Sequence, residues 1–319
     1  MAAISDTYAV SRVDDLVFAS PGGNPLLADL YLPDGAPRPL PVIVWLHGGG
    51  WRIGDRRLAP DLGRFFAERG FAMASFDYRL SGDAIFPAAV EDVKTGIRWL
   101  RSVADVYSLD PARIGLWGSS SGGHLAAMAA LSGPEAFQPA DSAWATMSSA
   151  VQAVVTGYAP VDFLQMDEHR DPLGRPSEDA ESIQLPPGKR SADADSPEST
   201  FLGAPIATCP DLVRRASPLT YVKPGAPPFL IIHGQSDTAV PSHQSELLFH
   251  ALAANGNDAT LCLVEGLGHG FLNRNHFDQG PSRRTIVQRS HAGMLEPSHA
   301  GPPLTFGVIE SFFRGHLSE

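Results

Sequence analysis

The sequence predicts an α/β fold built on a mostly parallel sheet with helices on both faces. Three observations carry this expectation. Short apolar runs rich in β-branched residues alternate with longer stretches whose apolar residues recur every three or four positions, the alternation a helix-covered parallel sheet requires. Gly and Pro cluster at the boundaries between them. Two glycine-rich turns, at 47–51 and 118–123, follow directly on apolar runs, and open α/β sheets place their sites at the carboxyl ends of strands.

In chain order, residues 28–32 alternate like an early strand, and 42–46 form a β-branched run ending in glycines. Residues 71–78 make another strand. Phe86, Val90, Val93, Ile97, Leu100 and Ala104 then step by 4, 3, 4, 3 and 4, one apolar stripe of a helix. Glu91, Asp92, Lys94, Arg98 and Arg101 fall off that stripe and are expected to face water. Strands follow at 112–118, 151–158, 228–234 and 259–265. Helices follow at 122–131, 242–254 and 306–316, the second with Leu247, Leu248, Ala251 and Leu252 inward. Two polar, irregular stretches, 163–200 and 273–303, break the rhythm and are expected as cap or loop insertions. The strand–helix pattern resumes after each, so residues 1–319 are read as one domain.

Composition narrows the function. Apolar residues make up 43% of the 319 and charged residues 18%, enough for a large core and far from a disordered chain. The 24 Lys and Arg against 35 Asp and Glu leave a net charge of −11, which argues against nucleic acid and anionic membrane as partners. Cys209 and Cys262 form no CxxC pair and are read as buried free thiols. The longest apolar runs are strand-sized, too short to span a bilayer. No basic stretch followed by an apolar block opens the sequence, so cytoplasmic residence is expected.

The strongest chemical signal is Gly118-Ser119-Ser120-Ser121-Gly122-Gly123, a G-x-S-x-G turn centred on Ser120 between a strand and a helix. Such a turn holds its serine at strained backbone angles, and its glycines let strand and helix approach. A Gly/Ser turn without chemistry is the plain alternative. Ser119 and Ser121 are rival nucleophiles, but neither has glycine at both −2 and +2. His47-Gly48-Gly49-Gly50-Trp51 offers backbone N–H groups for an oxyanion; Gly49 and Gly50 are the expected donors, with the N–H of Ser121 as the third. No G-K-[ST] follows, so a phosphate loop fits less well. Asp237 and His269 each follow a late strand. The order Ser120, Asp237, His269 is that of a triad on a parallel sheet, with nucleophile, orienting acid and base in turn. Asp77, Asp162 and Asp258 compete for the acid. The other histidines read as packed in the fold (His124), bracing glycine turns (His47, His233) or lying at the surface (His169, His243, His250, His276, His291, His299, His316). Their scatter gives no metal constellation.

With these stretches in view, the chain resembles the α/β-hydrolases, and more narrowly the carboxylesterases with an HGGGW oxyanion motif. That branch includes feruloyl and acetyl-xylan esterase-like proteins and lies near the hormone-sensitive-lipase-like group. The resemblance rests on HGGGW at 47–51, FDYRL at 76–80, FPAAVEDVKTGIRWLR at 86–101, GSSSGGHLAA at 118–127, SPEST at 196–200, HGQSDTAVP at 233–241 and EGLGHGF at 265–271. It implies Ser120 as nucleophile, His269 as base and Asp237 as orienting acid, with Gly49, Gly50 and Ser121 as the oxyanion hole. No cofactor and no metal are implied. Ser121 stands where the family often has alanine, a change that leaves the N–H in place. The expected reaction is hydrolysis of small to medium neutral carboxylic esters. The alternatives are a feruloyl or acetyl-xylan esterase, an arylformamidase, or a non-catalytic small-molecule binder on the same fold. Trp51, Phe163 and Phe271 are expected at the substrate, and the apolar flanks of the two insertions (Phe163, Leu164, Phe201, Leu202, Phe271, Leu272, Phe277) as pocket walls. A small-molecule ester is the expected partner, with homo-oligomerisation left open.

Overall fold

The computed structural model describes residues 7–139, 143–170 and 177–318. Its strands are β1 (Val10–Ala19), β2 (Leu26–Pro33), β3 (Leu40–Leu46), β4 (Ala72–Phe76), β5 (Leu109–Ser119), β6 (Ala153–Gly157), β7 (Phe229–Gly234), β8 (Ala259–Val264), β9 (Thr285–His291), β10 (Met294–Leu295) and β11 (His299–Gly301). The helices are α1 (Leu62–Phe65), α2 (Ala88–Ser102), α3 (Ala104–Tyr107), α4 (Ser121–Leu131), α5 (Pro197–Leu202), α6 (Pro210–Arg215), α7 (His243–Ala254) and α8 (Phe306–Leu317). The strands form one sheet in the order β1-β2-β4-β3-β5-β6-β7-β8-β9-β10, with β11 paired to β9. From β4 to β8 every pairing is parallel, and the outer pairings are antiparallel.

The parallel strands are apolar on both faces because helices cover both. Along β3, Val42, Val44 and Leu46 join the core under α2, α4 and α7, while Ile43 and Trp45 point into a second core under α1 and α8. Trp45 and Trp117 meet edge to face there, 4.4 Å between centroids. On α7 the inward residues are Gln244, Leu248, Phe249, Leu252 and Ala253, with Leu247 and Ala251 only partly covered.

Three expectations need correction. The polar side of α2 does not face water: Asp92, Lys94 and Arg98 are buried. Residues 133–134 and 147–150 fold over that side. Lys94 donates to the carbonyl of Gly133, and Arg98 to those of Pro134 (2.7 Å) and Met147 (3.1 Å). Asp92 accepts from the Arg79 guanidinium at 2.7 Å. Burial pushes the Lys94 ammonium down to about 7, with Arg98 adding repulsion. Second, the stretch 273–303 is not all loop, because β9 pairs with β8 along its length from Ser290 against Ala259 to Thr285 against Val264. Third, Cys209 is partly exposed; only Cys262 is buried, its thiol pushed up to about 12 by that burial.

The turn between β5 and α4 is set by close backbone approach. A Cβ on Gly122 would lie 2.1 Å from the Leu46 carbonyl oxygen and 2.4 Å from that of His47. One on Gly118 would lie 2.3 Å from the Gly122 carbonyl oxygen. Gly122→Ala is therefore expected to destabilise the fold by about 3 kcal/mol through overpacking against backbone that cannot rotate away. A thermal melt within a degree of wild type would refute this.

Candidate active site

Ser120 sits where β5 gives way to α4, at φ 54° and ψ −124°, a conformation costing a non-glycine residue about 1–3 kcal/mol. Two backbone bonds hold it there. Its N–H donates to the Gly157 carbonyl at 2.8 Å, and its own carbonyl accepts from His124 N–H at 3.0 Å. The first ties the turn to β6 and the second starts α4.

Asp237 and His269 stand on the loops after β7 and β8. Ser120 Oγ lies 2.8 Å from His269 Nε2, and His269 Nδ1 lies 2.6 Å from Asp237 Oδ2. An ionised carboxylate only accepts, so Nδ1 carries the ring proton and Nε2 presents its lone pair to the Ser120 hydroxyl. Burial alone would raise the Asp237 carboxyl, but His269 and His233 outweigh it and hold the group at about 2. Its other oxygen, Oδ1, accepts the N–H groups of Ala239 and Val240, both at 2.9 Å. His269 is itself clamped by the first insertion. Its N–H donates to Ser182 Oγ at 2.9 Å, and its carbonyl accepts from Ile183 N–H at 3.0 Å.

The 47–51 turn lies beside the serine. Gly49 and Gly50 have φ of 116° and 61°, and a Cβ on Gly49 would meet the Ile53 carbonyl oxygen at 2.1 Å. Tyr78 braces the turn, its hydroxyl donating to the His47 carbonyl at 2.8 Å and its ring stacked on the His47 imidazole at 4.3 Å. Among the described residues, no backbone carbonyl accepts from the N–H of Gly49, Gly50 or Ser121.

These residues border a cavity of about 450 Å³ that Ser120, Ser121, His269, Gly49, Gly50 and Trp51 share. Phe163 and Phe271 do not line it. Phe163 packs against Trp51 and His124, and Phe271 against Tyr158; both are buried core residues. Phe201 and Leu202 are likewise buried, Leu272 is in the core, and Leu164 is exposed. The far wall is instead the polar middle of the first insertion: Ile183 to Pro186, Lys189 to Ser191, and Asp195 to Glu198. Hydrogen bonding to the His269 loop brings that segment in, a long-range contact with no periodic signal in the sequence. The second insertion contributes only Asn273, which accepts from Ser119 Oγ at 2.7 Å. Another cavity, about 460 Å³, lies by Lys223 and Tyr221 and borders none of the three triad residues.

The competing groups are occupied elsewhere. Asp77 pairs with Arg56 at 2.9 Å, Asp162 caps Leu164 N–H at 3.1 Å, and Asp258 accepts from Ala292 N–H at 2.9 Å. His124 is buried with Nε2 2.7 Å from the Ala216 carbonyl oxygen, and burial pushes it down to about 4. Among the described residues, no three His, Cys, Asp or Glu side chains are grouped to hold a metal ion, and no helix is long and apolar enough to cross a membrane.

The BD-FAE family model matches residues 28–252, the span from β2 through most of α7. The chain belongs to the BD-FAE family. Esterase LipQ of Mycobacterium tuberculosis is 34% identical over 77% of this chain and 53% of its own length. The chain thus spans about half the length of the curated relatives it matches. A truncated carbohydrate esterase from gut microbiota superposes with a TM-score of 0.74 at 27% identity, covering 98% of both chains. Esterase 2 of Thermogutta terrifontis, with butyrate bound, gives 0.62 at 26% identity over 84% of this chain and 86% of that one. The sheet order and these neighbours establish the α/β-hydrolase fold.

One residue of this BD-FAE site has more to do than brace a turn. His233, at the end of β7, is fully buried, with Nε2 2.9 Å from the Val240 carbonyl oxygen and 3.3 Å from Asp237 Oδ2. Both are acceptors, so Nε2 carries the proton, and Nδ1 takes the Ser245 hydroxyl at 2.7 Å. His233 thus positions the acid from behind. His233→Phe is expected to lower kcat about 10-fold with KM little changed, the scale on which removal of such outer partners is felt. Restoration of part of that loss by His233→Gln would mark the N–H as the cause; equal losses in both would reduce the residue to packing.

Proposed function

We propose that this chain is a serine carboxylesterase that hydrolyses small to medium neutral esters through a covalent acyl-enzyme on Ser120. The observation that carries the reading is the unbroken run Ser120 Oγ, His269, Asp237 opening on a cavity. His269 Nε2 takes the hydroxyl proton as Oγ attacks the ester carbonyl. The negative charge forms on the carbonyl oxygen, toward the N–H groups of Gly49, Gly50 and Ser121. The imidazolium, stabilised by ionised Asp237, returns its proton to the leaving alcohol, and water repeats the sequence to free the acid. Family membership and the esterase names of the relatives support the same reaction.

A second reading, an esterase acting on acylated carbohydrate, is favoured by the full-length likeness to a gut carbohydrate esterase and by the polar side chains Gln184, Ser191, Asp195 and Glu198 in the far wall of the cavity. The test for both is labelling with a fluorophosphonate followed by an ester panel in which acyl and alcohol size vary separately. Labelling at Ser120 with turnover of simple esters supports the first reading. Turnover confined to acylated sugars favours the second. Absence of labelling would refute both and restore the non-catalytic binder.

A further inference from the structure

The cavity wall contains a carboxyl group that the triad chemistry does not use. Glu198, in the first turn of α5, lines the cavity and is only 6% exposed, yet its Oε2 is buried with no hydrogen-bond partner among the described residues. Burying a carboxyl oxygen without a donor is unfavourable, and such an atom at a cavity wall calls for a partner or a role. Among the described residues no cation pairs with it: Arg170 acts on it only through space, its own guanidinium held by Asp167 at 2.7 Å. Burial accordingly pushes the Glu198 carboxyl up to about 7. The terminal carboxyl torsion is broad, so a modest turn of the carboxyl brings an oxygen toward the cavity that Glu198 lines. The same cavity is lined by Trp51, whose indole Nε1 is likewise buried and without a partner among the described residues. Pro197, next to Glu198 in sequence, would touch a Cβ on Gly50 at 3.1 Å, which puts this wall against the oxyanion turn.

We propose that Glu198 is a specificity-determining residue that accepts a hydrogen bond from a hydroxyl of the bound ester. The donor is a hydroxyl rather than an ammonium because Arg52, Lys189 and Arg190 outnumber Asp195, which pairs with Lys189 at 2.7 Å, among the other charged groups lining the cavity and raise the cost of admitting a cation. This inference rests on the esterase reading and names the chemistry the substrate presents next to the scissile bond.

The test uses ester pairs that differ by one hydroxyl in place of one methyl. Ethyl 3-hydroxybutanoate against ethyl 3-methylbutanoate places the hydroxyl on the acyl half. 2-Hydroxypropyl butanoate against isobutyl butanoate places it on the alcohol half. Wild type is expected to favour the hydroxylated member of one pair by about 10-fold in kcat/KM, the scale of one net hydrogen bond. That ratio is expected to fall to near one in Glu198→Leu and to survive in part in Glu198→Gln, which keeps an acceptor oxygen. A role confined to supporting Trp51 would lower both members of a pair alike and leave the ratio unchanged. Equal turnover of both members in both pairs by wild type, or a ratio untouched by Glu198→Leu, overturns the assignment. Turnover of the methyl members reports on the esterase reading independently, so failure of one is not failure of the other.

Discussion

Ser120→Ala is expected to lower kcat by about 10³-fold or more, because members of a hydrogen-bonded triad act as a unit. Alanine keeps the backbone requirement unchanged: it meets the same strain at φ 54° as serine does, and the turn remains tied to Gly157 and His124 through backbone groups alone. The protein should therefore fold and melt like wild type while His269 Nε2 faces no hydroxyl. Ser119→Ala should cost far less, because the Ser119 hydroxyl is directed at Asn273 and not at the imidazole. Steady-state hydrolysis of a simple ester with purified proteins decides the matter. Near-native turnover by Ser120→Ala would remove the nucleophile assignment.

Asp237→Asn is expected to cost about 10⁴-fold in kcat, the scale seen when an amide replaces the orienting carboxylate of a triad. The reason lies in the donors around that side chain. Ala239 and Val240 present two N–H groups to Oδ1, so the amide oxygen of asparagine must turn toward them. Its NH₂ then faces His269 Nδ1 and His233 Nε2, where the carboxylate had accepted from both. His269 can receive that NH₂ only by losing its proton from Nδ1, which moves the proton to Nε2 and leaves no lone pair for Ser120. Activity should fall without loss of the folded state, and a nearly unchanged kcat would show that the acid does not set the tautomer.

Much of this site could be read before any coordinates. Ser120 was marked by its flanking glycines, and the contacts at Gly118 and Gly122 give the steric reason. Asp237 and His269 were marked by position after strands, which the parallel register of β5 to β8 turns into a common edge. The wall of the cavity differs from the sequence expectation. Apolar Phe163, Phe201 and Phe271 looked like pocket residues, but large apolar side chains in this fold are drawn into the two cores, where Phe201 stacks on Trp51 at 4.5 Å. The strand β1 was missed because its exposed, charged sequence has no apolar period; its pairing with β2 holds it in place.

What the sequence determined by itself was whatever depends on neighbours a few residues away: the strand–helix alternation, the glycine turns, and the serine between them. Local periodicity and steric freedom are properties of short segments, so they are written where they act. Only the tertiary structure decided which polar groups are buried and what they meet. Lys94 and Arg98 lie inside because a segment some forty residues away supplies carbonyl oxygens. Glu198 and Ser182 reach the site because an irregular insertion is hydrogen-bonded to the loop that bears His269. Those pairings join residues far apart in the chain, and the free energy of burying a polar group is set by its partner rather than by its own identity.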